Sequence, residues 1–265
     1  MPEPAPYWNK KPDLKQIKAD LAWNFPEQKS GTVKILGGTA GAFSAEVKLT
    51  EFLNQNFGFL SEIRNIFPDV LKSKLPPLPT LDFYLSTDSG SFADSPEFRR
   101  CLDGADFGII LGDLSKNSVT AVAVAELIKT TPDVPILLTR DAVDLVAGEA
   151  AEFIDRKNLT IVASLASLQK LLRALYYPRP LLISQPILPV IETLHKFTLS
   201  YACSLFTFHD GKIICASGGK VATVDLAETP YTPLGLWNGE IAGKIAVYNI
   251  FNKNKKLDCM LASVL

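Results

Sequence analysis

Short runs of apolar residues alternate along most of the chain with longer stretches whose apolar side chains recur every three or four positions. The runs predict buried strands and the longer period predicts amphipathic helices. Helices are predicted to begin near Ala45, Ser95, Ser118 and Leu168. Because strand and helix units repeat with short loops, we predict a parallel sheet with helices on both faces. The predicted strands are residues 33–36, 81–85, 107–111, 135–139 and 159–163.

The first of these helices has a well-defined apolar face. Ala45, Leu49 and Leu53 follow one another at helical spacing, whereas Glu46 and Glu51 fall off that face. We therefore expect both glutamates to point away from the core.

The last third of the chain changes character. Two alternating stretches, residues 204–208 and 212–216, flank Asp210 and Gly211. An Asp-Gly pair between two such stretches predicts a tight β-hairpin, because both turn positions need positive φ.

The remaining elements complete an α/β fold. Residues 221–226 form a candidate strand, a helix is predicted from Gly239, and residues 257–264 are predicted as a closing strand. We expect an N-terminal arm over residues 1–28 and one domain over residues 29–265, since no linker divides the rest.

Composition and charge narrow the classes of function. Hydrophobic residues make up 47% of the 265 positions, and 27 basic residues nearly balance 28 acidic ones. No overall field favours nucleic acid or an anionic membrane, although a balanced total is compatible with a local basic groove. The chain has no apolar run of membrane-spanning length and no signal-peptide core, so we expect a cytoplasmic protein.

Few residues of the kinds that bind transition metals are present. The only histidines are His195 and His209, which makes a zinc site or a histidine-driven triad a poor expectation, and we predict no metal site. The cysteines show no Cys-x-x-Cys spacing and lie in apolar stretches, which predicts buried free thiols. They are Cys101, Cys203, Cys215 and Cys259.

Four turns that follow predicted strands or open a helix are candidates for chemistry, because ligands of parallel sheets bind beyond the carboxyl ends of the strands. A glycine-rich turn begins at Gly37 and Gly38, and it either cradles an anion or is simply a tight turn. Asp113, Asp141 and Asp144 follow two later strands; they could position a ligand, but capping is the favoured explanation for Asp113 and Asp144.

The fourth turn opens the helix that follows Asn238 and Gly239. Glu240 lies in its first turn, where a carboxylate can serve as a general base beside an anion hole or simply complement the helix dipole.

Taken in order, these turns resemble the ADP- or ATP-dependent NAD(P)H-hydrate dehydratases, which have a ribokinase-like fold and repair hydrated nicotinamide cofactors. The stretch from Lys29 to Ala45 is similar to the family's glycine-rich opening. Gly-Ile-Ile-Leu-Gly112 is similar to part of its Gly-Pro-Gly-Leu-Gly loop, and the stretch through Asp141 is similar to its Leu-Asp-Ala-Asp turn. Asn238-Gly239-Glu240 stands where the family has Thr-Gly-Asp. The resemblance covers about residues 29–252 and implies a three-layer α/β/α fold.

The resemblance also implies a site. Glu240 would be the catalytic base, and Ala45, Gly112 and Asp141 would contact the hydrated NAD(P)H. ADP or ATP would be the cofactor, Mg²⁺ could arrive with the nucleotide, and a homo-oligomer is compatible with the fold. The implied nucleotide-binding residues are Gly37, Gly38, Ser200, Tyr201, Ala202, Ser204, Asn238 and Gly239.

Several residues depart from the family pattern. Ser200 and Tyr201 replace a Lys-Gly pair, which removes a cation that would meet phosphate. A His-Pro stretch expected near residues 163–168 is absent, Trp237 replaces a glycine, and Glu240 is longer than the expected aspartate. Three hypotheses remain open: a working or weakened dehydratase, a non-catalytic relative that senses a nucleotide or serves in assembly, and a small-molecule kinase.

Overall fold

Ten strands form one twisted sheet in the computed structural model, which describes residues 6–265. The first five residues of the predicted arm, with most of its proline-rich start, lie outside the described residues. The strands, in chain order β1 to β10, are Trp8–Asn9, Thr32–Gly37, Glu62–Pro68, Leu81–Tyr84, Phe107–Gly112, Ile136–Thr139, Leu159–Val162, Ser204–His209, Lys212–Ser217 and Lys220–Asp225.

Eight α-helices accompany the sheet in the described part of the chain. In chain order α1 to α8, they are Leu14–Ala22, Ser44–Asn56, Ser118–Thr130, Asp141–Leu145, Leu165–Ala174, Ile187–Ser200, Glu240–Phe251 and Lys256–Ala262.

The sheet is mostly parallel. Its order is β1-β10-β9-β8-β7-β6-β5-β2-β3-β4, and only β9 runs against its neighbours. The predicted hairpin is confirmed: Asp210 and Gly211 both have positive φ, at 50° and 71°, between β8 and β9. Beyond it, β1 of the N-terminal segment adds a parallel strand outside β10.

Two apolar layers flank the sheet, as the strand–helix alternation predicted. On one face, α3, α4, α5 and α6 cover a core that includes Ile110 and Leu138. On the other, α2, α7 and α8 cover Ile35, Ile109 and Phe206. Alternate residues of the central strands therefore point into different cores, as the strand period of two requires.

The N-terminal segment packs on the second face. Leu21 of α1 is 1% exposed and contacts Tyr248 and Cys259. The side-chain amide of Asn24 donates a hydrogen bond of 2.7 Å to Oδ1 of Asn252. The segment thus contributes both a strand and a buried side chain to the domain.

One predicted element is wrong. Residues 257–264, predicted as a strand, contain helix α8. The two outer strands of the sheet are β1 and β4, so this segment adds no strand to either side. Leu257, Met260, Leu261 and Val264 recur at helical spacing and pack into the core with α7, so burial on one helical face explains the apolar run.

Candidate active site

The candidate crevice is the place where the chain changes direction across the sheet. β2 and β5 are neighbours, yet α2 follows β2 on one face and α3 follows β5 on the other. Their loops therefore separate at the carboxyl ends of the strands, and this topological switch point is where open α/β sheets bind ligands. The backbone N–H of Gly38 donates a hydrogen bond of 3.1 Å to the carbonyl of Gly112 and joins the two loops.

The glycine-rich turn after β2 faces a carboxyl group of the chain itself. A Cβ atom at Gly37 would lie 2.2 Å from Oε1 of Glu46 and 2.6 Å from the carbonyl oxygen of Gly112. Glu46 is fully buried in the first turn of α2, so the expectation that it faces away from the core is wrong. The spacing of apolar residues correctly identifies the buried face in the middle of α2, but in the first turn the Glu46 side chain points towards Gly37 and the crevice.

Both carboxyl oxygens of Glu46 are buried and have no hydrogen-bond partner among the described residues. Burial raises the pKa of Glu46 to about 8, with Asp113 and Asp141 adding to the rise and its own backbone amide and Arg140 opposing it. At neutral pH the group therefore holds its proton. Ala45, one residue earlier, is 9% exposed and packs in the second-face core.

The loop after β5 is held by Asp141. Oδ1 of Asp141 accepts a hydrogen bond of 2.8 Å from the backbone N–H of Asp113, and Oδ2 accepts one of 3.3 Å from Leu114. A Cβ atom at Gly112, whose φ is 115°, would lie 2.3 Å from Oδ1 of Asp141. Asp141 therefore orders the Gly112 loop.

Asp113 forms an ion pair across the same loop. Its Oδ1 lies 2.8 Å from a guanidinium nitrogen of Arg140, and both residues have positive φ, at 53° and 56°. Burial raises the pKa of Asp113, while Arg140 opposes the rise. The capping explanation for Asp113 is wrong, because Oδ1 of Asn117 caps α3 by accepting from Thr120 N–H at 2.7 Å.

Asp144 also does not cap a helix. It lies within α4, and its Oδ2 is 3.2 Å from Nζ of Lys170, while its Oδ1 is buried and has no hydrogen-bond partner among residues 6–265. These two side chains and Asp141 line a depression of about 400 Å³ between the starts of α3 and α4. This depression adjoins the crevice on the α3 face and is large enough for a small ligand.

The N-terminus of α7 borders the crevice from the other side. A Cβ atom at Gly239, whose φ is 101°, would lie 3.2 Å from Leu111 at the end of β5. Gly239 is the N-cap residue of α7 and has no side chain to cap the helix. Oδ1 of Asn238 accepts a hydrogen bond of 2.9 Å from Glu240 N–H, and the Glu240 side chain is partly exposed.

The segment Ser200 to Ser204 lies at the opposite edge of the sheet. Ser204 begins β8 and pairs with Thr160 near the start of β7, and its hydroxyl lies 2.8 Å from that of Ser217. Helix α6 extends to Ser200, so this segment is a helix end and not the end of a strand. Tyr201 and Ala202, in the middle of the segment, contact other parts of the chain.

Tyr201 packs on Phe197 with ring centroids 4.8 Å apart, and Ala202 N–H donates to Asp155 at 3.0 Å. The structure thus does not bring these residues to Gly37 and Gly239. His209 stands at the carboxyl end of β8 instead, and its Nε2 lies 2.7 Å from the carbonyl of Gln185.

Three carboxyl groups lie at the crevice, those of Glu46, Asp113 and Asp141. Arg140 is the cation beside them, and its guanidinium binds Asp113. Within residues 6–265 no group of three or more His, Cys, Asp or Glu side chains is placed to hold a metal ion. All four cysteines are free and buried, and no helix in this range is long and apolar enough to cross a bilayer.

Comparison with known proteins identifies the fold. No protein-family profile and no curated protein matches the chain. A ribokinase-like superfamily protein from Enterococcus faecalis superposes with a TM-score of 0.67 at 12% identity, over all of this chain and 87% of that one. For a hypothetical protein from Streptococcus mutans, the TM-score is 0.64 at 14% identity, over 96% and 87% of the two chains.

An ADP/ATP-dependent NAD(P)H-hydrate dehydratase from Bacillus subtilis, co-crystallised with ATP and Mg²⁺, gives a TM-score of 0.56 at 13% identity, over 93% of this chain and 84% of that one. At such identities the likeness concerns the fold. The ribokinase-like three-layer α/β/α architecture expected from the sequence is confirmed.

Proposed function

We propose that this chain uses an adenine nucleotide at the carboxyl edge of its sheet to remove water from hydrated NAD(P)H. The observation that carries the proposal is the meeting of three features at one switch point: the turn at Gly37 and Gly38, the Gly112 loop and the N-terminus of α7. The resemblance of the sequence supplies the substrate, and the superposition on the Bacillus subtilis dehydratase agrees with it.

The nucleotide phosphates would lie against α7. Gly239 is buried with a positive φ and has no side chain to cap the helix, and Oδ1 of Asn238 accepts from the Glu240 N–H, so the next N–H groups of the first turn are those available to an anion. This end of the crevice fits phosphate. Mg²⁺ would be held mainly by phosphate oxygens and water, since Mg²⁺ needs few protein ligands when it arrives with a nucleotide.

Glu240 would be a general base that accepts the proton of the substrate hydroxyl while its oxygen takes up the terminal phosphoryl group of the nucleotide; loss of that group as phosphate, with the adjacent C–H proton released to solvent, would complete the net removal of water. Its backbone is fixed by Asn238, while its side chain remains partly exposed at the mouth of the crevice. Gly112 and Asp141 would border the substrate, with Ala45 behind them. The proposed nucleotide site keeps Gly37, Gly38, Asn238 and Gly239, and it omits Ser200, Tyr201, Ala202 and Ser204, which lie at the other edge.

A specific observation favours a second candidate, a non-catalytic relative that binds a nucleotide without turnover. The space beside Gly37 is taken by Glu46, and the space beside Gly112 by Asp141. Where glycines leave room for a ligand, the chain's own carboxyl groups stand and fill the space that a substrate would need. In this candidate the nucleotide would bind at α7 and the substrate half of the crevice would stay closed.

Turnover of hydrated NADH with ADP or ATP and Mg²⁺ distinguishes the two candidates. The enzyme hypothesis expects measurable dehydration by the purified protein and loss of at least about tenfold in rate for Glu240→Gln, because general-base groups contribute that much or more. The matched control is Glu228→Gln, an exposed glutamate in the loop before α7, which should leave the rate unchanged. Nucleotide binding without turnover supports the non-catalytic candidate.

A further inference from the structure

A basic depression lies at the edge of the sheet opposite the crevice. It has a volume of about 480 Å³ and is bordered by the turn between β9 and β10, the loop between α7 and α8, and the segment before β7. These three separate segments each contribute lysines. The lysines that line it are Lys157, Lys220, Lys253, Lys255 and Lys256.

The charge of this cluster is not neutralised by residues 6–265, the part of the chain that the structure describes. None of the five lysines forms an ion pair or a side-chain hydrogen bond with another residue of the described chain, and Asp258 is the one carboxylate among the lining residues. The total charge of the chain is only −1. The balanced total therefore conceals a local excess of positive charge.

Two of the lysines, Lys157 and Lys256, stand close enough to repel one another. Lys256 is half-buried; burial is the main cause that lowers its pKa, and Lys157 lowers it further. Concentrating like charges in this way costs free energy, and a bound anion would offset that cost.

The backbone at the rim is open to a ligand. Gly218 has a φ of 55° in the turn between β9 and β10, and no atom lies within 4 Å of the place where its Cβ would stand. Main-chain groups at a glycine allow an anion to approach closely. Ser217 and Asn254 add neutral polar side chains to the lining.

We propose that this depression binds a compact anion with two or more adjacent phosphate groups. Each lysine offers three N–H donors and a point charge suited to phosphate oxygens, and the volume is that of a small-ligand site. No aromatic side chain lines it. Single-stranded nucleic acid is bound largely by stacking of bases on aromatic rings, so recognition here rests on phosphate alone.

This anion site is separate from the crevice. Helix α7 begins at Glu240 beside the crevice and ends at Phe251 beside the lysines, and a helix of that length spans about 18 Å. Failure of the proposed dehydratase function would leave the anion site untouched, and the reverse also holds.

Inorganic tripolyphosphate is the probe that tests the site. We expect it to bind with an affinity that falls as salt is added, and to protect Lys157, Lys220, Lys253, Lys255 and Lys256 from acetylation more than other lysines. The double variant Lys220→Gln/Lys253→Gln changes two exposed residues and should weaken binding at least about tenfold, since each lysine supplies a charge-assisted contact.

The matched control is Lys72→Gln/Lys196→Gln, which removes the same charge from exposed positions elsewhere and should keep nearly the full affinity. Absence of binding, equal loss in both double variants, or protection spread evenly over the lysines would each overturn the proposal.

Discussion

Oε1 of Glu46 occupies the position beside Gly37 that any larger side chain would need, since a Cβ there would lie 2.2 Å away from it. The buried carboxyl group thus fits only beside a glycine, and the absence of a side chain at Gly37 gives it the space it occupies. Gly37 is required for packing within the crevice, whatever ligand the crevice takes.

Replacement of this glycine should destabilise the fold. The added methyl group of Gly37→Ala also meets the backbone oxygen of Gly112 at 2.6 Å, and backbone cannot move aside cheaply. We expect a loss of roughly 1–3 kcal/mol in the free energy of unfolding, as is typical of overpacking, measured by urea denaturation. Gly41→Ala in the same turn is the control, because no atom lies within 4 Å of its Cβ position; equal losses would contradict this account.

Burial of Glu46 predicts a pH dependence of stability. Its pKa is about 8 in the folded protein against an ordinary 4.5, so between these values the folded state binds one more proton than the unfolded state. Stability from this group is complete below pH 4.5 and is lost as pH rises towards 8. The difference at pH 9 is on the order of 3–5 kcal/mol.

Glu46→Gln keeps the shape of the neutral form and should flatten this dependence. Thermal unfolding of wild type and variant between pH 5 and pH 9 measures it, and the variant should gain on the wild type as pH rises. Glu51→Gln on the exposed face of the same helix is the control and should not gain. A wild-type melting temperature that falls no more steeply than that of Glu46→Gln would show that Glu46 ionises normally.

The N-terminal segment should be essential to stability, although it precedes the predicted domain. Leu21 is 1% exposed against Tyr248 and Cys259, and a buried Leu→Ala change costs roughly 2–5 kcal/mol. Trp23→Ala, two residues later, removes a side chain that is 90% exposed and should change stability by less than about 0.5 kcal/mol. Equal effects in a denaturation experiment would mean that the segment does not pack as described.

The sequence predicted the fold better than the site. Strand and helix periods identified the parallel sheet and the hairpin at Asp210, because long periodic segments carry a strong signal. The short apolar run at residues 257–264 predicts a strand, yet its apolar residues also recur at helical spacing and form a helix. Deciding between helix and strand for a short apolar run depends on what it packs against.

The candidate site shows more clearly which features the sequence does not predict. Turn residues such as Gly37, Gly112 and Gly239 could be found because they follow strands or open a helix, but Glu46 and Arg140 could not. Their importance comes from pairs formed across the crevice by separate parts of the chain. Ser204, expected at the nucleotide site, lies at the start of β8, because a loose motif match cannot tell the start of a strand from its end.

Calorimetric titration with ADP, with and without Mg²⁺, tests the central claim most directly. We expect binding in the micromolar range by the wild-type protein, retained in Lys220→Gln/Lys253→Gln, because the adenine nucleotide should bind at α7 and not among the lysines. Absence of ADP binding, or binding that disappears in the lysine variant, would contradict a nucleotide site at the carboxyl edge of the sheet.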